Sequence, residues 1–348
     1  MNQQDGDEKM SIREIAQKAG VSVSTVSRAL NGYSDVSMET RKRVMEVARE
    51  FNYFPNAIAR GLVLRKTHMI GLFFGDRINS GFDDPMYQEV ISAIRIEAGK
   101  SGRDLLIFAN SNKELSTYTS LSKERGVDGV FLILNREEKL KKDQIRELEK
   151  SGIPCVSINF QLQGDRCTYV ESNNYQGTKD AVTHLIRLGH KRIAFIGGDI
   201  YGKAGVDRLN GYKDALLEAG LAYDERLVEF CYFTNKGARD AAIKLQERAD
   251  NITGIFVASD RMAVIVIDTL RERGLFVPSD ISVVGFDDIA VAERSNPALT
   301  TVRQQRYEMG RLATEFLNRM IDDPDCRPEP TTLQCELVIR NSTASIRV

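Results

Sequence analysis

The sequence predicts a small all-α headpiece followed by an α/β core of two doubly wound parallel-sheet lobes. Three observations carry this. Near the N-terminus a capped helix, a glycine turn and a second short helix follow one another within Ser11–Asn31. From Met69 onward, short runs that are apolar throughout alternate with helical patterns, as in parallel sheets covered on both faces. There are eight such units, more than one open sheet usually holds, so two lobes are expected, divided near 160–173.

The first helix opens on Ser11-Ile12-Arg13-Glu14, the S-x-x-E capping box. Ile12, Ile15, Ala16 and Ala19 recur at helical spacing and form its apolar face. Gly20 permits a tight reversal, and Ser22 is a suitable N-cap for the next helix. In that helix Val26, Ala29 and Leu30 point to the core. Its other face carries Val23, Ser24, Ser27 and Arg28, small groups with one long donor fork. Such a face suits close approach to a flat anionic surface. A third helix is capped by Ser37 and keeps Val44, Val47, Ala48 and Phe51 inward. The arrangement is helix-turn-helix, although a plain three-helix bundle that binds nothing shares the pattern.

After Pro55, Asn56 could cap a short helix to about Val63. Gly61 would cost it about 1 kcal/mol against alanine. Residues 56–67 are therefore either a plain linker or a helix that forms only when supported.

The expected core strands are Ile70–Phe74, Leu105–Ala109, Val130–Leu134, Cys155–Ile158, Arg192–Gly197, Leu227–Tyr232, Ile255–Ala258 and Ile281–Gly285, with Leu333–Ile339 as a final strand. The expected helices are Pro85–Lys100, Lys113–Arg125, Lys139–Lys150, Asn174–Leu188, Asp207–Ala219, Lys236–Arg248, Asp260–Arg273 and Gln304–Met320. Ligands of open α/β sheets sit beyond the carboxyl ends of the strands. Those ends carry Asp76, Asn159, Phe233, Ser259, Asp260, Asp287 and Asp288, and Arg208 opens the helix after Gly197-Gly198. Acids and a guanidinium bind hydroxyls and an aromatic ring packs on a sugar's C–H face, so the set suits a polyhydroxyl compound. Each residue could instead be a helix cap, Asp260 above all.

Charge separates the two parts. The chain has a net charge of -1, but residues 11–66 hold ten Lys and Arg against five Asp and Glu. A basic small domain on a near-neutral chain points to nucleic acid at that end only. Catalytic and cofactor patterns are missing: no G-x-G-x-x-G follows the first strand, and neither G-x-x-x-x-G-K-[ST] nor G-x-S-x-G occurs. His68, His184 and His190 lack metal-ligand spacing, and the five cysteines are odd in number without C-x-x-C. No cofactor, metal or enzymatic activity is expected. Residues 1–9 are expected to be a disordered lead-in without signal-peptide character, and no apolar run reaches the ~20 residues of a membrane span. A cytoplasmic location follows as an expectation.

The run Ser11–Ser22 with Thr25–Asn31, together with Thr40–Val44 and Asn52–Ala57, resembles the DNA-binding headpiece of the lac/gal repressor family. Leu188–Ala194 is similar to its L-G-H-x-x-I-A, Asp280–Asp288 to its D-I-S-V-V-G-[FY]-D-D, and Pro297–Val302 to its P-x-L-T-T-[IV]. The resemblance spans Ser11 to about Arg340. It implies a transcriptional regulator, usually a repressor, with a headpiece (10–55), a hinge helix and linker (56–67) and a periplasmic-binding-protein-like core (68–348). The lobes are then about 68–170 with 301–330, and about 171–300 with 331–342.

The resemblance also implies residue roles. Val23 and Ser24 occupy positions that vary with operator sequence. Arg28 matches an arginine that reads a guanine, as bidentate Arg–guanine pairing allows. Ser22, Thr25, Ser27 and Asn31 match phosphate-contacting or capping positions. Leu62 matches a hinge leucine that wedges into the minor groove, and Ala59 packs on the partner's hinge. Arg208, Asp287, Phe233 and Asn159 match effector-binding positions, and Pro85-Met86-Tyr87 stands for the P-F-[FY] motif, bringing Tyr87 to the cleft. The chain departs from the pattern at Gly61, at Tyr232, where an acid is common, and in the longer loop 77–84. The partners implied are operator DNA, a sugar-like effector and a second copy in a homodimer; Val348 comes without a leucine-heptad tail. The function implied is a repressor of carbohydrate-utilisation genes. A regulator controlled mainly by a partner protein, and a sugar-binding protein without regulatory duty, are the alternatives.

Overall fold

The computed structural model describes residues 10–31, 33–53, 66–74, 84–108, 117–134, 142–200, 202–248 and 251–346. Ala59, Leu62, Asp76, the lead-in, the hinge segment up to residue 65 and loop residues 77–83 lie outside them. The described chain forms two compact units, one ending at His68 and one beginning at Met69.

In the first unit α1 (Ile12–Ala19), α2 (Val23–Leu30) and α3 (Met38–Glu50) form where their caps foretell. Ser11 Oγ accepts from the Glu14 amide and Glu14 Oε2 accepts from the Ser11 amide, closing the capping box. Gly20 ends α1 in the left-handed region, at φ 66°, where a Cβ would be strained. Ser22 and Ser37 cap α2 and α3. Ile15, Ala16, Ala19, Val26, Ala29 and Val44 make a dry centre, with Leu30, Val47 and Phe51 packed against it. The apolar stripes of all three helices therefore meet.

The second unit holds two parallel sheets. The larger contains β1 (Met69–Phe74), β2 (Asp104–Phe108), β3 (Gly129–Ile133), β4 (Cys155–Ile158), β5 (Cys167–Ser172) and β11 (Thr331–Leu333), in the order β11-β5-β4-β3-β1-β2. Strand side chains alternate, so each face meets different helices. Ile70, Leu72, Phe131, Ile133 and Val156 pack with α4 (Pro85–Lys100) and α12 (Arg306–Asp322). Phe73, Val130, Leu132 and Cys155 pack with α5 (Tyr118–Arg125) and α6 (Lys142–Glu149). The smaller sheet has the order β7-β6-β8-β9, from β6 (Ile193–Gly197), β7 (Val228–Phe230), β8 (Gly254–Val257) and β9 (Ser282–Val284). Its core is covered by α7 (Asn174–Arg187), α8 (Lys203–Glu218), α9 (Asn235–Arg248) and α10 (Asp260–Glu272). At Gly211 of α8 a Cβ would stand 2.3 Å from the Tyr175 carbonyl of α7, so only glycine lets these helices approach so closely.

Four expectations need correction. Residues 160–173 are not simply the divide between lobes: β5 lies there and pairs with β4, Cys155 opposite Cys167. Its polar Thr168, Glu171 and Ser172 hide it from a search for wholly apolar runs. Leu333–Ile339 is two short strands, β11 beside β5 and β12 (Glu336–Val338), which runs antiparallel to β10 (Thr301–Arg303). Thr331–Leu333 thus joins the first lobe's sheet, not the second's. The strand after Leu227 ends at Phe230, because Tyr232 and Phe233 both turn left-handed, at φ 55° and 56°. Finally, α8 starts at Lys203, four residues before Asp207, and a short α11 (Ala290–Arg294) follows β9.

The chain crosses between the sheets three times, after β5, after β10 and after β11. Hydrogen bonds tie the crossings together. The Asn173 amide donates to the Leu333 carbonyl at 2.8 Å, and Asn173 Nδ2 donates to Gln334 Oε1 at 3.1 Å. Gln305 Nε2 donates to the Gln334 carbonyl at 3.0 Å.

Candidate functional site

Two groups of residues stand out, one in each unit. In the first, α2 displays the side chains that the sequence singles out. Ser22 Oγ caps the helix through the Thr25 amide and lies 2.7 Å from Ser24 Oγ and 2.8 Å from Thr25 Oγ1. Asn31 Nδ2 donates to Ser27 Oγ at 3.4 Å. Val23, Ser24 and Arg28 are exposed, whereas Thr25, Ser27 and Asn31 are half-buried. Arg28 is ion-paired with Asp35 and lies 5.6 Å over the Tyr33 ring. Neither Tyr33 nor Asp35 was foreseen. Both follow α2 in a loop whose carbonyl at Tyr33 accepts from Arg41 of α3. Helix α2 therefore presents small groups and one arginine in a stretch whose sequence is net positive, the chemistry of a DNA-facing helix.

The second group gathers at the carboxyl ends of the smaller sheet. Arg208 sits on α8 and is 6 % exposed. Its Nε donates to Asn174 Oδ1 at 2.9 Å and its Nη1 to the Ala258 carbonyl at 2.5 Å. The guanidinium stacks on Phe286, 3.8 Å from the ring centroid, and Nη2 lies 3.9 Å from Asp287 Oδ1. At that separation the Arg208–Asp287 contact is electrostatic rather than a hydrogen bond. Asp287 takes φ 115°, and its Oδ1 accepts from Gln304 Nε2 at 2.6 Å. Arg306 donates to the Asp287 carbonyl and pairs with Glu89 at 2.8 Å. From the first lobe, Tyr87 and Asp84 bear on this cluster: Tyr87 acts electrostatically on Arg208, and Asp84 on Asp287. Arg208 and Asp287 are thus neighbours, and Tyr87 lies within electrostatic reach of Arg208. Asn174, Gln304, Arg306, Asp84 and Phe286 were not foreseen. Asn174 and Gln304 each adjoin a crossing between lobes, a placement that only the tertiary structure shows.

The other expected residues hold local structure. Ser259 Oγ caps α10 by accepting from the Met262 amide. Asn159 is left-handed, and its Oδ1 accepts from the Ser172 amide at 3.0 Å, leaving its Nδ2 uncommitted among the described residues. Phe233 lies 45 % exposed with its ring against Gly198, where any Cβ would clash. Asp260 is fully buried and does not serve as the cap; it accepts from the Ile289 amide and the Thr301 hydroxyl. Asp288 is held by Arg303 and Arg340, both at 2.7 Å. Glu171, 6 % exposed on β5, accepts from Gln161 and lies 3.4 Å from Lys203 on α8, an ion pair between the lobes. A separate groove of about 540 Å³ runs along α4 and α12 past Glu97, Ser101, Arg311 and Arg319. It carries mixed charge and holds none of the residues named above.

Burial pushes the Asp287 carboxyl up to about 7, against the pull of Arg208 and with help from the Asp84 charge. Burial likewise raises Asp84 and lowers Arg208. A folded-state value above the ordinary 3.8 means the native protein binds the extra proton. The resulting stability is complete below the ordinary value and is lost as pH rises through about 7. The ligand-free protein is therefore expected to melt at a higher temperature at pH 5.5 than at pH 7.5, and Asp287→Asn to flatten that slope. Melting curves across this range check it; an identical slope in the variant would refute it.

Comparison with known proteins places these features. Residues 11–56 match the family described as bacterial regulatory proteins, lacI family, and residues 182–343 match a periplasmic binding protein-like domain. The chain is 35 % identical to the HTH-type transcriptional regulator CelR of Thermobifida fusca, over 94 % of this chain and 96 % of that one. A solved complex of a transcriptional regulator CelR with cellobiose is 32 % identical, with a TM-score of 0.71, covering 96 % of this chain and 99 % of the other. A lac repressor dimer bound to operator and an anti-inducer has a TM-score of 0.82 over 97 % of this chain and 100 % of the other. At 24 % identity that likeness bears on the fold alone. Among the described residues, no helix is long and apolar enough to cross a membrane.

Proposed function

This chain belongs to the lacI family of bacterial regulatory proteins, DNA-binding transcriptional regulators rather than enzymes, and we propose that within it the chain is a sugar-responsive repressor of carbohydrate-utilisation genes. It acts as a dimer on a near-palindromic operator. Each headpiece is small and binds weakly, and a dimer joins two of them at one effective concentration if their spacing fits the half-sites. Arg28 reads a guanine, with Val23 and Ser24 as selectors beside it. Ser22, Thr25, Ser27 and Asn31 fix the helix on the backbone, and Ala59 and Leu62 belong to the hinge that grips the minor groove.

The effector occupies the cleft around Arg208. The observation that carries this is the buried Arg208–Asp287 contact, flanked by the Asn174 and Gln304 amides. It is a charged and hydrogen-bonding cluster at the carboxyl ends of parallel strands. Phe233 is available to pack on a sugar face, and Tyr87, Asn159, Ser259 and, on sequence grounds alone, Asp76 are the further residues assigned to the ligand. A ligand bound here shifts the equilibrium between core states by its differential affinity for them, and the operator is released or held accordingly. The similar CelR structure solved in complex with cellobiose makes that disaccharide a natural first candidate.

A thermal-shift screen of sugars and sugar phosphates tests the proposal. A true effector at 100 times its Kd stabilises the fold by about 2.7 kcal/mol. The same compound must then change operator affinity in a binding titration. A panel in which no sugar shifts the melting temperature would sink the assignment of the cleft.

A further inference from the structure

We propose that Asp35 is a positioning residue for DNA reading: it orients Arg28 for a base edge and penalises binding where Arg28 finds no guanine. This rests on the reading of Arg28 as base reader given above, and it goes beyond it by assigning a second, acidic determinant outside α2.

The loop after α2 is built from both flanking helices. The Tyr33 amide donates to the Arg28 carbonyl at 3.1 Å, and the Val36 amide to the Tyr33 carbonyl at 3.3 Å. Arg41 of α3 donates to the same Tyr33 carbonyl at 2.5 Å. The place of Asp35 is thus set by backbone contacts and by α3, and not by Arg28 alone. Its carboxylate pairs with one terminal nitrogen, Nη2, of Arg28, while the Tyr33 ring lies beneath the guanidinium. A guanidinium carries five N–H groups on a rigid fork. Occupying one nitrogen leaves donors for guanine O6 and N7 and removes much of the freedom of a four-torsion side chain. Both partners stay about half exposed, 53 % and 47 %, so the pair stands where DNA approaches and is not a core ion pair.

The charge has a second consequence. Nonspecific binding is driven by basic groups neutralising phosphates. An acid fixed against the arginine of the reading face cancels part of that attraction on any duplex. Only a site that engages the free donors of Arg28 offsets the repulsion. The device therefore trades general affinity for discrimination.

The test uses the full-length chain and an operator selected from random duplex DNA. Affinities are measured by fluorescence anisotropy for the operator, for operator variants substituted at each guanine and for an unrelated duplex, over a range of salt. The proteins are the unmodified chain, Arg28→Ala, Asp35→Ala, Asp35→Asn and the Arg28→Ala/Asp35→Ala double variant. Asp35→Ala is expected to bind the unrelated duplex more tightly and to lose about tenfold of its discrimination at one guanine. Asp35→Asn is expected to share the first effect and to keep more of the discrimination. In the Arg28→Ala background, Asp35→Ala is expected to change discrimination no further. A discrimination unchanged by Asp35→Ala, or an equal loss with and without Arg28, overturns the role of Asp35 while leaving Arg28 as reader. Full discrimination in Arg28→Ala overturns the base-reader assignment and this inference with it. Because the pair is exposed, melting curves are expected to confirm that each variant folds.

Discussion

Arg208→Met is expected to abolish the ligand response and lower the melting temperature, while specific operator binding persists. The side chain is nearly enclosed, and its donors are divided among Asn174, the Ala258 carbonyl and the face toward Asp287. Methionine keeps a flexible stem on Phe286 but supplies no charge or donor. Asp287 is then left buried beside Asp84 and Asp260 without its cation. Breaking a fully ionised buried pair from one side costs about 3–5 kcal/mol, and protonation of Asp287 makes the loss smaller near neutral pH. Without the pull of Arg208 the Asp287 carboxyl rises further and takes up a proton near neutral pH, so adding Asp287→Asn is expected to recover stability mainly at higher pH, and none of the ligand response. The two readouts separate folding from recognition. If Arg208→Met shifts in melting temperature at the same sugar concentration as the unmodified chain, the cleft is elsewhere.

The second large effect concerns the headpiece. Arg28→Ala is expected to lose about 1–3 kcal/mol of discrimination between the operator and a variant with the read guanine replaced. Binding to unrelated DNA is expected to fall much less, because phosphate contacts supply it. Arg28→Lys is expected to retain charge without the fork, and so to recover nonspecific affinity more than discrimination. Parallel titrations on matched and mismatched duplexes at one salt concentration measure this. Equal losses on both duplexes would make Arg28 a backbone contact.

Which features could be read from sequence follows from the range of the forces. The caps at Ser11, Ser22 and Ser37 and the left-handed Gly20 depend on atoms three or four residues apart, and all four form as expected. The wholly apolar strands were legible because burial on both faces leaves no room for a polar side chain. β5 was not, because it ends at the cleft, where Glu171 and Ser172 serve polar partners. The break between β11 and β12 was hidden for a related reason. Gln334 and Cys335 sit where the chain passes from one sheet to the other, and no local pattern announces which sheet a strand will join.

The cleft shows the same division. Arg208 and Asp287 were singled out because strand ends in an α/β fold are where ligands gather. The further roles of Asn174, Gln304 and Arg306 needed coordinates, since each partner lies 17 to 34 residues away in sequence. Asp260 illustrates the limit in the opposite sense. Its place at a helix start suggested a cap, yet its carboxylate is spent on Ile289 and Thr301, across the fold.

The sequence by itself determined the helix-turn-helix unit, the alternating core and the type of residue offered at each end, because capping and burial periodicity act locally. Only the tertiary structure decided that Arg28 faces Asp35 and that Arg208 meets Asp287 over Phe286. The physical reason is that hydrogen bonds and ion pairs are made between neighbours in space, and folding alone makes such residues neighbours.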